Sequence, residues 1–168
     1  MFSSRVVASV ERVTAALSSA ALMLITAESC TGGLIAGAVT ERAGSSAVFD
    51  RGFLTYSNAA KSDLLEVPAD LIADCGAVSA PVAAAMAQGA LRAADGDGRI
   101  AIAVTGVAGP GGGSAAKPVG LVHIAVAVGA DFAVRQIEQR YGEIGRSEIR
   151  LATVVDALDL VSDVIDEL

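Results

Sequence analysis

Ser29 is the residue whose setting most invites chemistry. It lies in Glu28-Ser-Cys-Thr-Gly-Gly33, between an apolar segment, Leu22 to Thr26, that reads as a short buried strand and a helical pattern running to about Glu41. Backbone N–H groups at a helix start lack partners within the helix, and the helix dipole favours negative charge there. A serine at that point faces the geometry that stabilises an oxyanion. Gly32 and Gly33 let a ligand or another backbone approach closely, although position alone leaves open that Ser29 or Thr31 simply caps the helix. Cys30 is a rival nucleophile, because a helix start lowers a thiol pKa. With no histidine partner it reads better as a small buried hydrophobe.

A serine nucleophile needs a base. The single histidine, His123, falls within the apolar run Leu121 to Val126 with no acid to orient it, so a Ser-His-Asp triad is unsupported. The lysines remain: Lys61 follows Tyr56 and Asn58 on a strand-to-helix turn, and Lys117 ends a glycine-rich loop. In an alanine-rich pocket a lysine loses hydration, its pKa falls, and the neutral amine can accept the serine proton. The commoner fate of such a residue is an exposed helix charge, here beside Asp63 and Glu66.

Other patterns carry less. Ser114-Ala-Ala-Lys117 matches a Ser-x-x-Lys motif, but the preceding glycines and Pro118 argue against the helix that motif needs, and no Lys-Thr-Gly follows. Thr105-Gly-Val-Ala-Gly-Pro-Gly-Gly-Gly113 follows a strand and offers many backbone N–H groups, as phosphate cradles do. It is not a Walker loop, because Gly106 to Gly111 is followed by Gly112 rather than Gly-Lys-Ser/Thr, nor a dinucleotide fingerprint, since it leads into Pro118 and another strand. A flexible surface loop is the alternative. Asp95-Gly-Asp-Gly98 reads as a turn.

These residues must be positioned by a single domain, 1–168, long enough to bury one core. Hydrophobic residues make up 53% of the chain and charged residues 18%, which excludes disorder. The mean hydropathy of +0.57 raises the question of a membrane. The uncharged stretches Val13 to Ala27 and Ile100 to Ala116 are broken by serines or by glycine and proline, so no spanning helix is expected. The N-terminal residues lack a signal-peptide pattern, and a cytoplasmic location is expected. Cys30 and Cys75 with one histidine offer neither a disulfide scaffold nor a zinc site. Twelve basic against nineteen acidic residues give a net charge of −7, and with no Trp the chain is ill suited to direct nucleic-acid binding.

Helical spacing of Val6, Val10, Val13 and Leu17 predicts a first helix. Gly52 to Tyr56 reads as a strand, Asn58 as the cap of a short helix through Leu65, Pro68 as the start of another, and Ser79-Ala-Pro81 as the start of an alanine-rich helix to about Ala93. Arg99 to Thr105 is a strand, Val119 to Val128 with Phe132 to Gln139 a hairpin, and Arg146 to Leu168 a long amphipathic helix. Strands alternating with helices, plus a hairpin, predict an α/β fold whose mixed sheet is covered on both faces.

Taken together, Thr26-Ala-Glu-Ser-Cys-Thr-Gly-Gly33, Gly52-x-x-x-Tyr56-x-Asn58-x-x-Lys61, Gly76-Ala-Val-Ser79, Val104 to Gly113 and Lys117-Pro-Val-Gly120 resemble the C-terminal domain of the CinA family, in order and over essentially the whole chain. The resemblance implies a three-layer α/β/α sandwich with a mixed sheet. Stand-alone members are nicotinamide-nucleotide amidases, which implies hydrolysis of nicotinamide mononucleotide to nicotinate mononucleotide and ammonia in pyridine nucleotide salvage, with no metal and no cofactor. It further implies Ser29 as nucleophile, Lys61 as general base and Tyr56 as a residue that orients or relays the proton, with the oxyanion facing the N–H groups of Thr31 to Gly33. Substrate contacts are expected from Glu28, Cys30, Thr31, Gly32, Gly33 and Asn58. The glycine loop, through Thr105, Gly106, Gly109, Gly111 and Gly112, is expected to hold the nucleotide, with Arg146 as phosphate partner.

Arg51 departs from the family pattern, which has a second glycine at that place. The pyrophosphate-hydrolysing N-terminal domain of full-length members is not in the sequence, and its activity is not expected. The expected partner is a small-molecule nucleotide, without nucleic acid or membrane, and the apolar, alanine-rich chain is expected to bury a helix face against a copy of itself. The alternatives are a non-catalytic nucleotide-binding or interaction domain of a competence or DNA-damage protein, and an amidase for another small amide.

Overall fold

The structure, a computed structural model, describes residues 2–95 and 97–168. The turn expected at Asp95 to Gly98 includes position 96, which lies outside the described residues. Helix α1 (Ser4–Ala20) begins at Ser3, whose hydroxyl accepts the Val6 N–H, and leads into β1 (Met23–Glu28), α2 (Leu34–Thr40) and β2 (Phe49–Leu54). Three helices follow, α3 (Asn58–Leu65), α4 (Ala69–Cys75) and α5 (Ala80–Arg92). Strands β3 (Arg99–Gly106), β4 (Leu121–Val128) and β5 (Ala133–Arg140) and the closing helix α6 (Arg146–Asp166) complete the chain.

The five strands form one sheet in the order β2-β1-β3-β4-β5. β1 pairs in parallel with β2 and β3, while β4 runs antiparallel to β3 and β5. The mixed sheet between two helical layers is the sandwich expected from the sequence. Alternation along the strands sends side chains to opposite faces. Leu24, Ile100, Ile102, Val104, Val122, Ile124 and Val126 face one layer, where they pack with α1, α2 and α6. Ala101, Ala103, Ala125 and Ala127 face the other, against Ala83, Met86, Ala87 and Ala90 of α5. Small side chains on both sides let α5 lie close to the sheet. Gly89 extends that closeness sideways, since a Cβ there would collide with the carbonyl of Leu65 at the end of α3.

Several boundaries differ from expectation: β1 spans Met23–Glu28 rather than Leu22 to Thr26, which makes Glu28 the last strand residue, and two further shifts lie beside it. β2 spans Phe49–Leu54 rather than Gly52 to Tyr56, because pairing with β1 runs from Leu24↔Phe49 to Glu28↔Leu54 and then stops. Thr55 makes the last bond to β1, its N–H donating to Glu28 O at 2.8 Å, and Tyr56 lies beyond the sheet. Ser57, not Asn58, caps α3, its hydroxyl accepting the Ala60 N–H at 3.1 Å, and Asn58 becomes the first helical residue. Among the described residues no helix is long and apolar enough to cross a membrane.

Gly89→Ala should push α5 from α3 and lower stability by about 1–3 kcal/mol, the usual cost of overpacking. A denaturant midpoint equal to that of the wild type would show that α3 and α5 are not locked together at this point.

Candidate active site

The carboxyl ends of the parallel strands β2, β1 and β3 lie side by side, and each delivers residues to one cleft. Parallel sheets place ligands at such ends because the loops leaving them diverge. Ser29 follows β1, Thr55 and Tyr56 follow β2, and Thr105 and Gly106 end β3. The cleft has a volume of about 200 Å³ and is lined by Ser29, Cys30, Tyr56, Asn58, Lys61, Ala77, Val78, Thr105, Gly106, Ala108 and Arg146.

Lys61 projects from α3 beneath this cleft and is only 1% exposed. Its Nζ lies 3.1 Å from Ser29 Oγ and donates to the carbonyl of Thr55 at 2.7 Å. Among the described residues no carboxylate pairs with it. Buried lysines that serve structure are ordinarily paired with an acid. Here burial is the larger influence on the amine and lowers its pKa, opposed by the neighbouring Cys30. The Cys30 thiol is itself pushed up to about 11 by burial, so Cys30 is held protonated and lines the cleft without being a nucleophile at neutral pH. His123 stands across the β3–β4 ladder from Thr105, outside the cleft lining, with its pKa lowered by burial and its Nε2 3.9 Å from Glu138.

The turn after Ser29 corrects the expectation of open helix-start N–H groups. Glu28 is buried and curls back over its own chain. Its Oε2 accepts from the Thr31 hydroxyl at 2.7 Å, Gly33 N at 3.0 Å and Ile35 N at 3.1 Å, while Oε1 accepts from Ala36 N at 2.8 Å. The carboxylate therefore occupies the anion position at the start of α2. Gly32 N donates to Ser29 O at 3.1 Å, and Leu34 N to Thr31 O at 3.3 Å. Among the described residues, Cys30 and Thr31 are the two positions from 29 to 36 whose N–H groups have no acceptor. The amides of Gly32 and Gly33, expected to face an oxyanion, thus already have acceptors within the protein. Neither Ser29 nor Thr31 caps the helix, and Glu28, expected to contact substrate, organises the turn from below.

Of the residues expected at the site, Ser29, Cys30, Tyr56, Asn58, Lys61, Thr105, Gly106 and Arg146 converge on the cleft. Glu28, Thr31, Gly32, Gly33, Gly109, Gly111 and Gly112 lie outside its lining. Tyr56, expected to orient or relay the proton, accepts through its hydroxyl from Arg146 Nη2 at 3.2 Å, while Lys61 is bonded to the Thr55 carbonyl. Arg146 also donates from Nη1 to Gly109 O at 2.8 Å, so it ties the glycine loop to the tyrosine at the cleft mouth. Lys117 N donates to Ser114 Oγ and Ser114 N to Lys117 O, which makes that Ser-x-x-Lys segment a closed turn, not a helix. Arg51, the departure from the family pattern, reaches Ala93 O at 3.2 Å on the surface, away from the cleft.

Ala77, Val78 and Ala108 were not anticipated as lining residues, since they carry no chemistry of their own. The Gly76 to Ser79 motif was the signal available for the first two. Thr105 is fixed by its hydroxyl donating to Ala77 O at 2.8 Å, which draws that motif against β3. Arg150 was missed altogether. It donates from Nε to Cys30 O at 3.1 Å and from Nη2 to Thr31 O at 2.7 Å. No group of three or more His, Cys, Asp or Glu side chains poised to hold a metal occurs among the described residues.

A family model described as the CinA C-terminal domain matches residues 7–165. A CinA-like protein of Synechococcus sp. (strain RCC307) is 55% identical over 139 residues, covering 82% of this chain and 32% of that protein. A CinA-like protein of Geobacter sulfurreducens is 54% identical over 138 residues, with the same coverage, 82% and 32%. The chain thus spans about a third of the length of these relatives. Among solved structures, competence/damage inducible protein CihA from Agrobacterium tumefaciens superposes with a TM-score of 0.92 at 51% identity, over 99% of this chain and 98% of that one. A CinA superfamily protein from Klebsiella pneumoniae does so with a TM-score of 0.89 at 32% identity, over 97% of this chain and 99% of that one.

Because burial lowers the Lys61 pKa in the folded state, the unfolded chain binds more protons between that lowered value and the ordinary 10.5. Wild-type stability relative to a Lys61→Met variant should therefore rise as pH is raised from the lowered pKa toward 10.5, and be fully recovered above it. Parallel denaturant titrations of the two proteins across that range would measure the gap. A gap that stays constant, or moves the other way, would mean that the folded protein holds Lys61 as an ordinary ammonium.

Proposed function

The chain belongs to the CinA C-terminal domain family, and on that premise we propose that it is a nicotinamide-nucleotide amidase, hydrolysing nicotinamide mononucleotide to nicotinate mononucleotide and ammonia. The observation that carries this reading is the buried, acid-free Lys61 amine 3.1 Å from Ser29 Oγ. A hydroxyl at that distance from a neutral amine is an activated nucleophile. Neither an exposed helix lysine nor a lysine buried for stability accounts for the arrangement.

In this mechanism neutral Lys61 takes the Ser29 proton as Oγ attacks the carboxamide carbon. The carbonyl oxygen becomes an oxyanion and accepts from the N–H groups of Cys30 and Thr31, the free donors beside the nucleophile. Lys61, now an ammonium, donates its proton to the amide nitrogen, the C–N bond breaks, and ammonia leaves a nicotinoyl ester on Ser29. Lys61 then deprotonates a water, which attacks the ester carbon. The ester C–O bond breaks, Ser29 recovers its proton from Lys61, and the product departs as the carboxylic acid, losing its remaining proton to water. Each half-reaction begins and ends with a neutral amine, which is the form that burial favours.

A cleft of about 200 Å³ falls below the usual range for whole small-molecule sites, about 300–1,000 Å³, so it takes the pyridine carboxamide while ribose and phosphate extend to the mouth. Arg146 stands there as the cation for the phosphate, a local exception to the net charge of −7.

Wild type, Ser29→Ala, Lys61→Ala and Cys30→Ser proteins should be incubated with nicotinamide mononucleotide and a chelator, with ammonia and nicotinate nucleotide measured. Release by wild type and Cys30→Ser, with a loss of about 10³-fold or more in the other two, is the expected result. Its pH profile should fall on the acid side, as Lys61 protonates. Release by none of the folded proteins would overturn the substrate assignment, and release that persists in Ser29→Ala would overturn the nucleophile.

A further inference from the structure

We infer that Arg150 is a positioning residue for the oxyanion donors, an inference that rests on the serine amidase reading above. Arg150 lies one helical turn after Arg146 on α6, so the two arginines share a face. Arg146 serves the cleft mouth, whereas both bonded nitrogens of Arg150 go to the nucleophile turn, Nε to Cys30 O and Nη2 to Thr31 O. Among the described residues no carboxylate lies within ion-pairing distance of Arg150.

In a trans peptide the C=O and the following N–H point to opposite edges, so anchoring one aims the other. The bond from Arg150 to Cys30 O aims the N–H of Thr31, and the bond from Gly32 N to Ser29 O aims that of Cys30. These are the two N–H groups that the turn leaves without an acceptor. Glu28 takes the later N–H groups of the same segment, so acid and base hold complementary edges of one loop. A planar guanidinium can reach two successive carbonyls at once, which a lysine ammonium, a single point charge, does poorly. Gly32 fits the same design: its φ is +61°, and a Cβ there would stand 3.1 Å from Arg150 Nη2.

Arg150→Lys and Arg150→Met are to be compared with wild type in steady-state hydrolysis of nicotinamide mononucleotide across pH, with thermal midpoints recorded. A kcat lower by about 10- to 100-fold is expected in both, with KM within about threefold and the acid limb unmoved because Lys61 is untouched. A kcat within about threefold of wild type in a folded variant overturns the inference, as does a loss carried by KM or one accompanied by a displaced limb. If Arg150→Met does not fold, Arg150→Lys decides by the same criteria. If wild type does not hydrolyse this substrate, the substrate assignment fails, not the role of Arg150. The readout is then the rate at which a fluorophosphonate probe modifies Ser29, expected to slow by about tenfold or more in the variants, with an unchanged rate overturning the inference.

Discussion

Lys61 Nζ meets Ser29 Oγ across a gap of 3.1 Å inside the protein, and an amine can stay there only if burial is tolerated without a counter-charge. Much of the fold serves that condition. The alanine face of β3 and β4 draws α5 close, Gly89 lets α3 pack on α5, and α3 in turn drives Lys61 under the sheet end. The Thr55 carbonyl supplies a hydrogen bond that fixes the amine without adding a negative charge. A carboxylate in its place would favour the ammonium and remove the base.

The nucleophile turn shows the same economy. A helix start ordinarily attracts an anionic ligand, yet here a side chain of the protein, Glu28, takes that role before any substrate arrives. In the proposed reading substrate charge is met elsewhere, at the cleft mouth, where Arg146 links Tyr56 to the glycine loop. In the proposed mechanism the chemistry at Ser29 depends on short-range N–H donors rather than on the dipole of α2. Preorganised donors of that kind need no rearrangement as charge develops.

The fold was legible because its signals are local. Period-two alternation, a hairpin turn and apolar spacing in α1 and α6 each report on their own segment, and the mixed sheet follows from their order. The Ser29 and Lys61 pairing was legible only in part, since a lysine on a helix reads more often as a surface charge until α3 is placed beside the ends of β1 and β2. Glu28 was misread because nothing in the sequence says that a strand-end carboxylate will fold back over a turn whose Gly33 has a φ of 92°. Arg150 and the Tyr56 to Arg146 contact join residues 120 and 90 positions apart, a kind of information that spacing does not carry. β2 was displaced for a simpler reason: Asp50 and Arg51 do not look like strand residues, and the edge position explains them, leaving Arg51 exposed and Asp50 paired with Arg99.

The most direct test of the account is the ionisation of Lys61 itself. Lys61 and Lys117 are the chain's only lysines, so Lys117→Arg leaves one lysine signal for an NMR titration of the labelled side chain. The account predicts a midpoint below the ordinary 10.5 that coincides with the acid limb of turnover. A midpoint at or above 10.5 would contradict it, because an amine that holds its proton that firmly cannot be the base for Ser29.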